Sequence, residues 1–210
     1  MSTFMACAAV DLDPGADSGS LLGHIVEAAR RPPLATYATK PLYVWIRPLA
    51  DGLRVSLLAD YGNAWLGNAV VHAAARSPQF QRGILALDHD EYGIEHLIIA
   101  NGDAGVCRVQ HIYVHPGGEP DDDEQPSLLD VPVCGDLDAA ADGTVNSAAS
   151  WSAVAALYGV PKDAVEAAGR YAAVAHEEIG VIFTPFAPWW DAVGVPYLGG
   201  LEPDAVLLDA

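Results

Sequence analysis

Basic residues are scarce in this 210-residue chain: ten lysines and arginines stand against 28 aspartates and glutamates, a formal charge of −18 at pH 7. A surface this negative repels phosphate backbones and anionic lipids. The composition therefore predicts no binding to nucleic acid and no attachment to a membrane surface. Such an acidic composition favours binding to a basic partner or to a cation, or it only keeps the protein soluble.

Cysteine is rare as well. Cys7, Cys107 and Cys134 are odd in number and have no CxxC spacing, so they predict neither a disulfide framework nor a zinc site. No apolar run approaches the length of a membrane span. We therefore expect a soluble protein of the reducing cytoplasm that holds no metal and no cofactor.

Three common catalytic fingerprints are missing from the sequence. It contains no GxSxG of serine hydrolases, no P-loop for nucleotide phosphates and no GxGxxG for dinucleotides. No other coherent catalytic set takes their place. An interaction protein is therefore the preferred interpretation, ahead of an enzyme.

Short apolar runs separated by turn residues make up the first half of the chain. The stretch from Arg82 to His115 predicts a three-stranded meander around which the rest of the chain is organised. Its runs at 84–87 and 97–100 are continuously apolar, which suits strands covered on both faces. A hairpin is predicted over 42–47 and 53–59, where apolar and polar residues alternate.

The second half of the chain has a different character. We expect a sheet domain over residues 1–115, an acidic linker loop over 116–145, and a part packed on the sheet over 146–210. That last part holds helices predicted at 146–158 and 161–179, followed by an extended tail. The fold class is α+β: a mixed or largely antiparallel sheet of about six strands with packed helices, plus a C-terminal helical hairpin.

The turn of this hairpin carries a known packing pattern. Ala155, Gly159, Val160 and Val165 supply a small residue, a turn glycine and apolar residues that lock the second helix. The stretch resembles the helix-turn-helix of bacterial repressors, and the resemblance implies a DNA-binding regulator. Residues 162–166 include acidic side chains at positions where a DNA-binding helix presents hydrogen-bond donors. A structural hairpin is therefore the alternative interpretation.

The preferred functional hypothesis is that the protein neutralises a basic protein partner. Bacterial immunity proteins and antitoxins use acidic surfaces in this way against toxins. Acidic residues speed association, and an exposed tryptophan pair holds the complex once formed. The predicted partner-binding residues are Asp121, Asp122, Asp123, Glu124, Trp189 and Trp190.

The alternative is an enzyme or small-molecule binder that uses the His/Tyr-lined face of the meander. Residues two apart in a strand point the same way, so its last strand would line a groove with rings. Carboxylates and imidazoles at the preceding turn can transfer protons, although no established metal spacing is present. The residues of this alternative site are His89, Glu91, His96, His111, Tyr113 and His115, with Asp88, Asp90 and Glu95 in the same cluster.

Overall fold

The computed structural model describes eight stretches of the chain: residues 5–31, 41–59, 63–89, 93–114, 131–139, 144–172, 186–196 and 206–209. The strands within these stretches are β1 (Ala6–Leu12), β2 (Pro41–Leu49), β3 (Gly52–Ala59), β4 (Phe80–Asp88), β5 (Ile94–Gly102), β6 (Gly105–Val114) and β7 (Val206–Asp209). The helices are α1 (Ser18–Ala29), α2 (Asn63–Arg76), α3 (Ala148–Tyr158), α4 (Lys162–Ala172) and α5 (Ala187–Ala192).

The described strands form one antiparallel sheet in the order β6-β5-β4-β1-β3-β2-β7. The predicted α+β class and its largely antiparallel sheet are therefore confirmed. The meander of β4, β5 and β6 forms one side of the sheet, so the prediction that the chain is organised around it was wrong. The central place belongs to β1, whose seven residues are all buried between β3 and β4.

Helices cover both faces of the sheet. On face A, the side of Leu57 and Leu85, α1 and α2 pack in one hydrophobic cluster. On face B, the side of Ile84 and Ile98, α3, α4 and α5 pack in a second cluster. Successive residues of a strand point to opposite faces, so a run of strand residues that is covered on both sides favours apolar side chains at successive positions. The prediction that the meander's apolar runs are covered on both faces is thus confirmed.

Local signals define the predicted helical hairpin, which is present as α3 and α4, with α4 described as far as Ala172. Ser147 and Ser150 form a capping box that satisfies free N–H groups at the start of α3. Gly159 ends that helix with a φ of +66°, a left-handed conformation that favours glycine. Val165 is fully buried on face B and anchors α4 to the sheet.

The outer edge of β6 receives two short segments from the region predicted as a linker. Val133 bridges to Arg108 and Val145 bridges to His111. A disulfide joins Cys107 on β6 to Cys134, 27 residues later. The expectation of no disulfide was wrong, because the odd count hid one buried free thiol and one pair that the fold brings together. The division into three parts at 116 and 146 stays a prediction.

Candidate functional site

The predicted tryptophan pair lies in the core. Trp189 and Trp190, on α5, have no exposed surface and pack on face B. The expectation that they are exposed was wrong, because covering their large apolar rings between sheet and helices is strongly favourable. The other predicted partner-binding residues, Asp121, Asp122, Asp123 and Glu124, lie outside the described residues. Binding of a partner through these six residues stays a prediction.

Glu95 on β5 is the centre of a cluster of titratable side chains on face A. Its carboxylate oxygens face Nε2 of His89 and Nε2 of His111, at 3.4 and 3.6 Å, and its side chain is 1% exposed. These are ion-pair distances, too long for good hydrogen bonds. Tyr113 lies directly across the strand pair from Glu95. Three residues of the predicted alternative site, His89, His111 and Tyr113, thus come together on the face of Glu95.

His96, the next residue on β5, points to the opposite face. Its ring is fully buried on face B, with centroids 4.9 Å from Phe186 and 5.6 Å from Trp189. Burial lowers the pKa of His96 to about 3, and the charge of His111 adds to the shift. The ring is therefore neutral near pH 7 and packs as an aromatic core residue. Glu91 and His115, also predicted for this site, lie outside the described residues.

The Glu95 cluster has the chemistry of proton transfer. A carboxylate beside two imidazoles can accept, hold or pass on a proton. Oε2 of Glu95 is buried and accepts no hydrogen bond from the described part of the chain, although it faces Nε2 of His89 at 3.4 Å. Within that part, no three histidine, cysteine, aspartate or glutamate side chains are arranged to hold a metal ion.

A second cluster on face B was not predicted, and we call it the arginine row. It consists of Arg47, Arg54, Asp11 and Arg82, which are successive register partners across β2, β3, β1 and β4. Charged side chains this deep in a sheet need partners of opposite sign. The sequence carried a partial signal for the row: each of the four strands bears a charged residue among mainly apolar neighbours.

Asp11 holds the middle of the arginine row. Its Oδ1 accepts from Nε of Arg54 at 2.6 Å, and its Oδ2 accepts from Nη2 of Arg54 at 2.8 Å and from Nε of Arg82 at 2.7 Å. Burial alone would lower the pKa of Arg54, but the hydrogen bonds and charge of Asp11 outweigh it, so that pKa is raised. Two guanidinium groups therefore share one carboxylate, and these three residues carry one net positive charge.

Arg82 connects the arginine row to α3. Its Nη1 donates to the carbonyl of Leu157, and its guanidinium lies 4.5 Å from the centre of the Tyr158 ring. Carbonyls in the last turn of a helix lack partners within the helix and carry the negative end of its dipole, so a cation is well placed there. Burial and the charge of Asp11 raise the pKa of Tyr158, which keeps the phenol protonated.

A cavity of about 230 Å³ lies beside Arg54, between the β2–β3 hairpin and the segment that follows α5. The carbonyl of Gly194 in that segment accepts from Nη1 of Arg54 at 3.3 Å. Gly194 adopts a φ of +66°, which favours glycine. The cavity is lined by Trp45, Arg47, Pro48, Leu49, Arg54, Ser56, Gly194 and Pro196.

Two side chains of this cavity have N–H groups without acceptors among the described residues. Arg54 donates through Nε, Nη2 and Nη1, so three of its five N–H groups are used and one remains on each terminal nitrogen. The indole Nε1 of Trp45 has no hydrogen-bond partner there either, but it has no accessible surface and so is not open to the cavity. The arrangement is suited to an anion, since parallel N–H groups of arginine match two anionic oxygens.

No protein-family model, curated protein or solved structure matches this chain. None of the helices in the described ranges is long and apolar enough to cross a bilayer. Function is therefore inferred from the chemistry of the Glu95 cluster and the arginine row.

Proposed function

We propose that this protein binds a small anionic molecule in the cavity beside Arg54. The observation that supports this function is a buried guanidinium in a cavity wall with an N–H to offer on each terminal nitrogen. Small-molecule sites are typically concave and mostly apolar, with a few convergent polar groups. The bidentate geometry of arginine suits carboxylate or phosphate oxygens.

The arginine row contrasts with the negative charge of the whole protein. With a net charge of −18, the surface as a whole repels anions. Three of the ten basic residues nevertheless lie in one row across four strands, around the single carboxylate of Asp11. Arg82 alone would neutralise Asp11, so Arg54 exceeds what that carboxylate requires. Binding of an anion would account for this second arginine beside Asp11.

Titration with simple anions tests the proposed function. We expect at least one of acetate, hexanoate, benzoate and phosphate to shift the amide signal of Gly194 and the indole signal of Trp45 in a saturable way by NMR. Leu49→Trp should abolish the shifts by filling the cavity without touching Asp11 or Arg54. Leu22→Trp, at a partly buried leucine on α1, is the matched control. The proposal fails if none of the four anions binds.

The Glu95 cluster supports a second proposed function, proton transfer or ligand binding on the histidine face of the meander. It depends on the buried Oε2 of Glu95, which accepts no hydrogen bond from the described chain. Fragments with an ammonium or hydroxyl donor should shift the ring signals of His89 and His111. Glu95→Gln should abolish these shifts, whereas Glu27→Gln, at an exposed position of α1, should not. Equal shifts in both variants would rule out Glu95 as the acceptor.

Binding of a basic protein partner in the cytoplasm remains a proposal supported by the net charge. The Cys107–Cys134 disulfide is more typical of an oxidising compartment. Replacing the acidic run 121–124 by serine should slow association and flatten its salt dependence, because long-range attraction sets that rate. An unchanged association rate would exclude the acidic run. The helix-turn-helix regulator also stays a prediction, and duplex DNA retained by the protein at physiological salt would support it.

A further inference from the structure

We infer that the ligand of the Arg54 cavity is an organic monocarboxylate with a compact apolar body. The inference rests on the proposed function of the cavity and names the class of anion. It separates this class from phosphates and from anions of higher charge.

The walls of the cavity divide into a polar and an apolar part. Arg54 and Ser56 lie together on β3, and Arg47 is directly across from Arg54 on β2. A ligand that fits both parts has a charged end that contacts the arginines and an apolar body whose transfer out of water is favourable. The apolar part is formed by Trp45, Pro48, Leu49 and Pro196.

The size of the cavity limits the body of the ligand. One water molecule takes up roughly 30 Å³ in the liquid, so a bare acetate or phosphate would leave most of the 230 Å³ to water. Drug-sized ligands occupy pockets of roughly 300 Å³ or more. A short alkyl chain or a single ring attached to the carboxylate fills the space between these limits.

The donors match two oxygens better than four. Arg54 offers one N–H on each terminal nitrogen, a pair that matches the two oxygens of a carboxylate. The carbonyl oxygen of Gly194 accepts one further N–H, from Nη1 of Arg54 at 3.3 Å, so that N–H is not available to a ligand. The remaining oxygens of a phosphate would face apolar wall without donors, which is unfavourable for buried acceptors.

Charge favours an anion at this place in the protein. Arg47, Arg54, Arg82 and Asp11 carry a formal net charge of +2, whereas the protein as a whole carries −18. The cavity beside Arg54 is therefore a local exception to the negative charge of the protein.

Calorimetric titration at constant ionic strength with acetate, hexanoate, benzoate and phosphate tests this assignment. We expect hexanoate or benzoate to bind at least about ten-fold more tightly than acetate and phosphate, since they alone bury an apolar body. Acetate or phosphate binding as tightly as the larger carboxylates would overturn the inference and leave the proposed function standing. No binding by any of the four would remove both.

Leu49→Trp locates the carboxylate without breaking the Asp11–Arg54 pair. The larger ring fills the cavity, so carboxylate binding should be abolished at an unchanged melting temperature. Leu22→Trp, at a partly buried leucine on α1, is the matched control and should bind the carboxylate as tightly as the parent protein. Full affinity in Leu49→Trp would place the carboxylate elsewhere and overturn the inference.

Discussion

Gly169 on α4 lies so close to Trp151 on α3 that a Cβ at position 169 would overlap Nε1 of the indole. That Nε1 donates to Oδ1 of Asn146 at 2.7 Å, and Nδ2 of Asn146 donates to the carbonyl of Gly169 at 3.3 Å. Gly169, Trp151 and Asn146 thus join the two helices of the hairpin through a closed set of contacts.

We expect Gly169→Ala to lower the free energy of unfolding by about 1–3 kcal/mol, because the added methyl must displace a ring held in place by a hydrogen bond. Gly23→Ala on α1 is the control: a Cβ there meets nothing, so the higher helix propensity of alanine should raise stability by about 0.5–1 kcal/mol. Urea denaturation measures both. A stabilising effect at position 169 would contradict the packing described.

Asp11→Asn tests the arginine row. The substitution keeps the size of the side chain but leaves Arg54 and Arg82 without their shared carboxylate in a buried setting, where breaking a pair costs about 3–5 kcal/mol. We expect a loss of that order in urea denaturation. Asp13→Asn, two residues later and exposed, should change stability by less than about 0.5 kcal/mol. Equal losses in the two variants would mean that Asp11 has no special role.

The arginine row is a feature of the fold that could not be predicted from the sequence. Strands and helices were predictable because apolar spacing is a local property, and the turn between His89 and Glu95 was predictable for the same reason. Asp11 meets residues 43 and 71 positions away, through a strand order that no local pattern contains. The burial of Trp189 depends likewise on a sheet built by distant parts of the chain.

The three cysteines should respond differently to alkylation. Cys107 and Cys134 are bonded, and burial raises the pKa of the Cys7 thiol, which keeps it protonated and unreactive. Mass spectrometry should find no alkylated cysteine in the folded protein and one after unfolding without reductant. Cys134→Ser should lower stability by about 2–4 kcal/mol, the usual range for closing a loop of this length. Three reactive thiols in the unreduced, unfolded protein would show that the bond does not form.

His96 should make the protein lose stability as the pH falls. Its pKa is about 3 in the folded protein and about 6.5 in the unfolded chain, so between these values only the unfolded chain takes up the proton. The contribution is fully present above pH 6.5 and is lost as the pH falls toward 3, by about 2 kcal/mol at pH 5. His96→Phe, which keeps a ring against Phe186 and Trp189, should remove this part of the loss.

Urea denaturation at pH 7.5 and pH 5 measures the difference, with His24→Gln on α1 as the control. His24 lies on α1, which packs on face A, so its replacement leaves the ring stack around His96 on face B intact. If His96→Phe and the parent protein lose the same stability between the two pH values, the folded protein must accept a proton on His96. The ring would then have to be reached by water or by an acceptor, since a protonated imidazole cannot remain in a dry stack of aromatic rings.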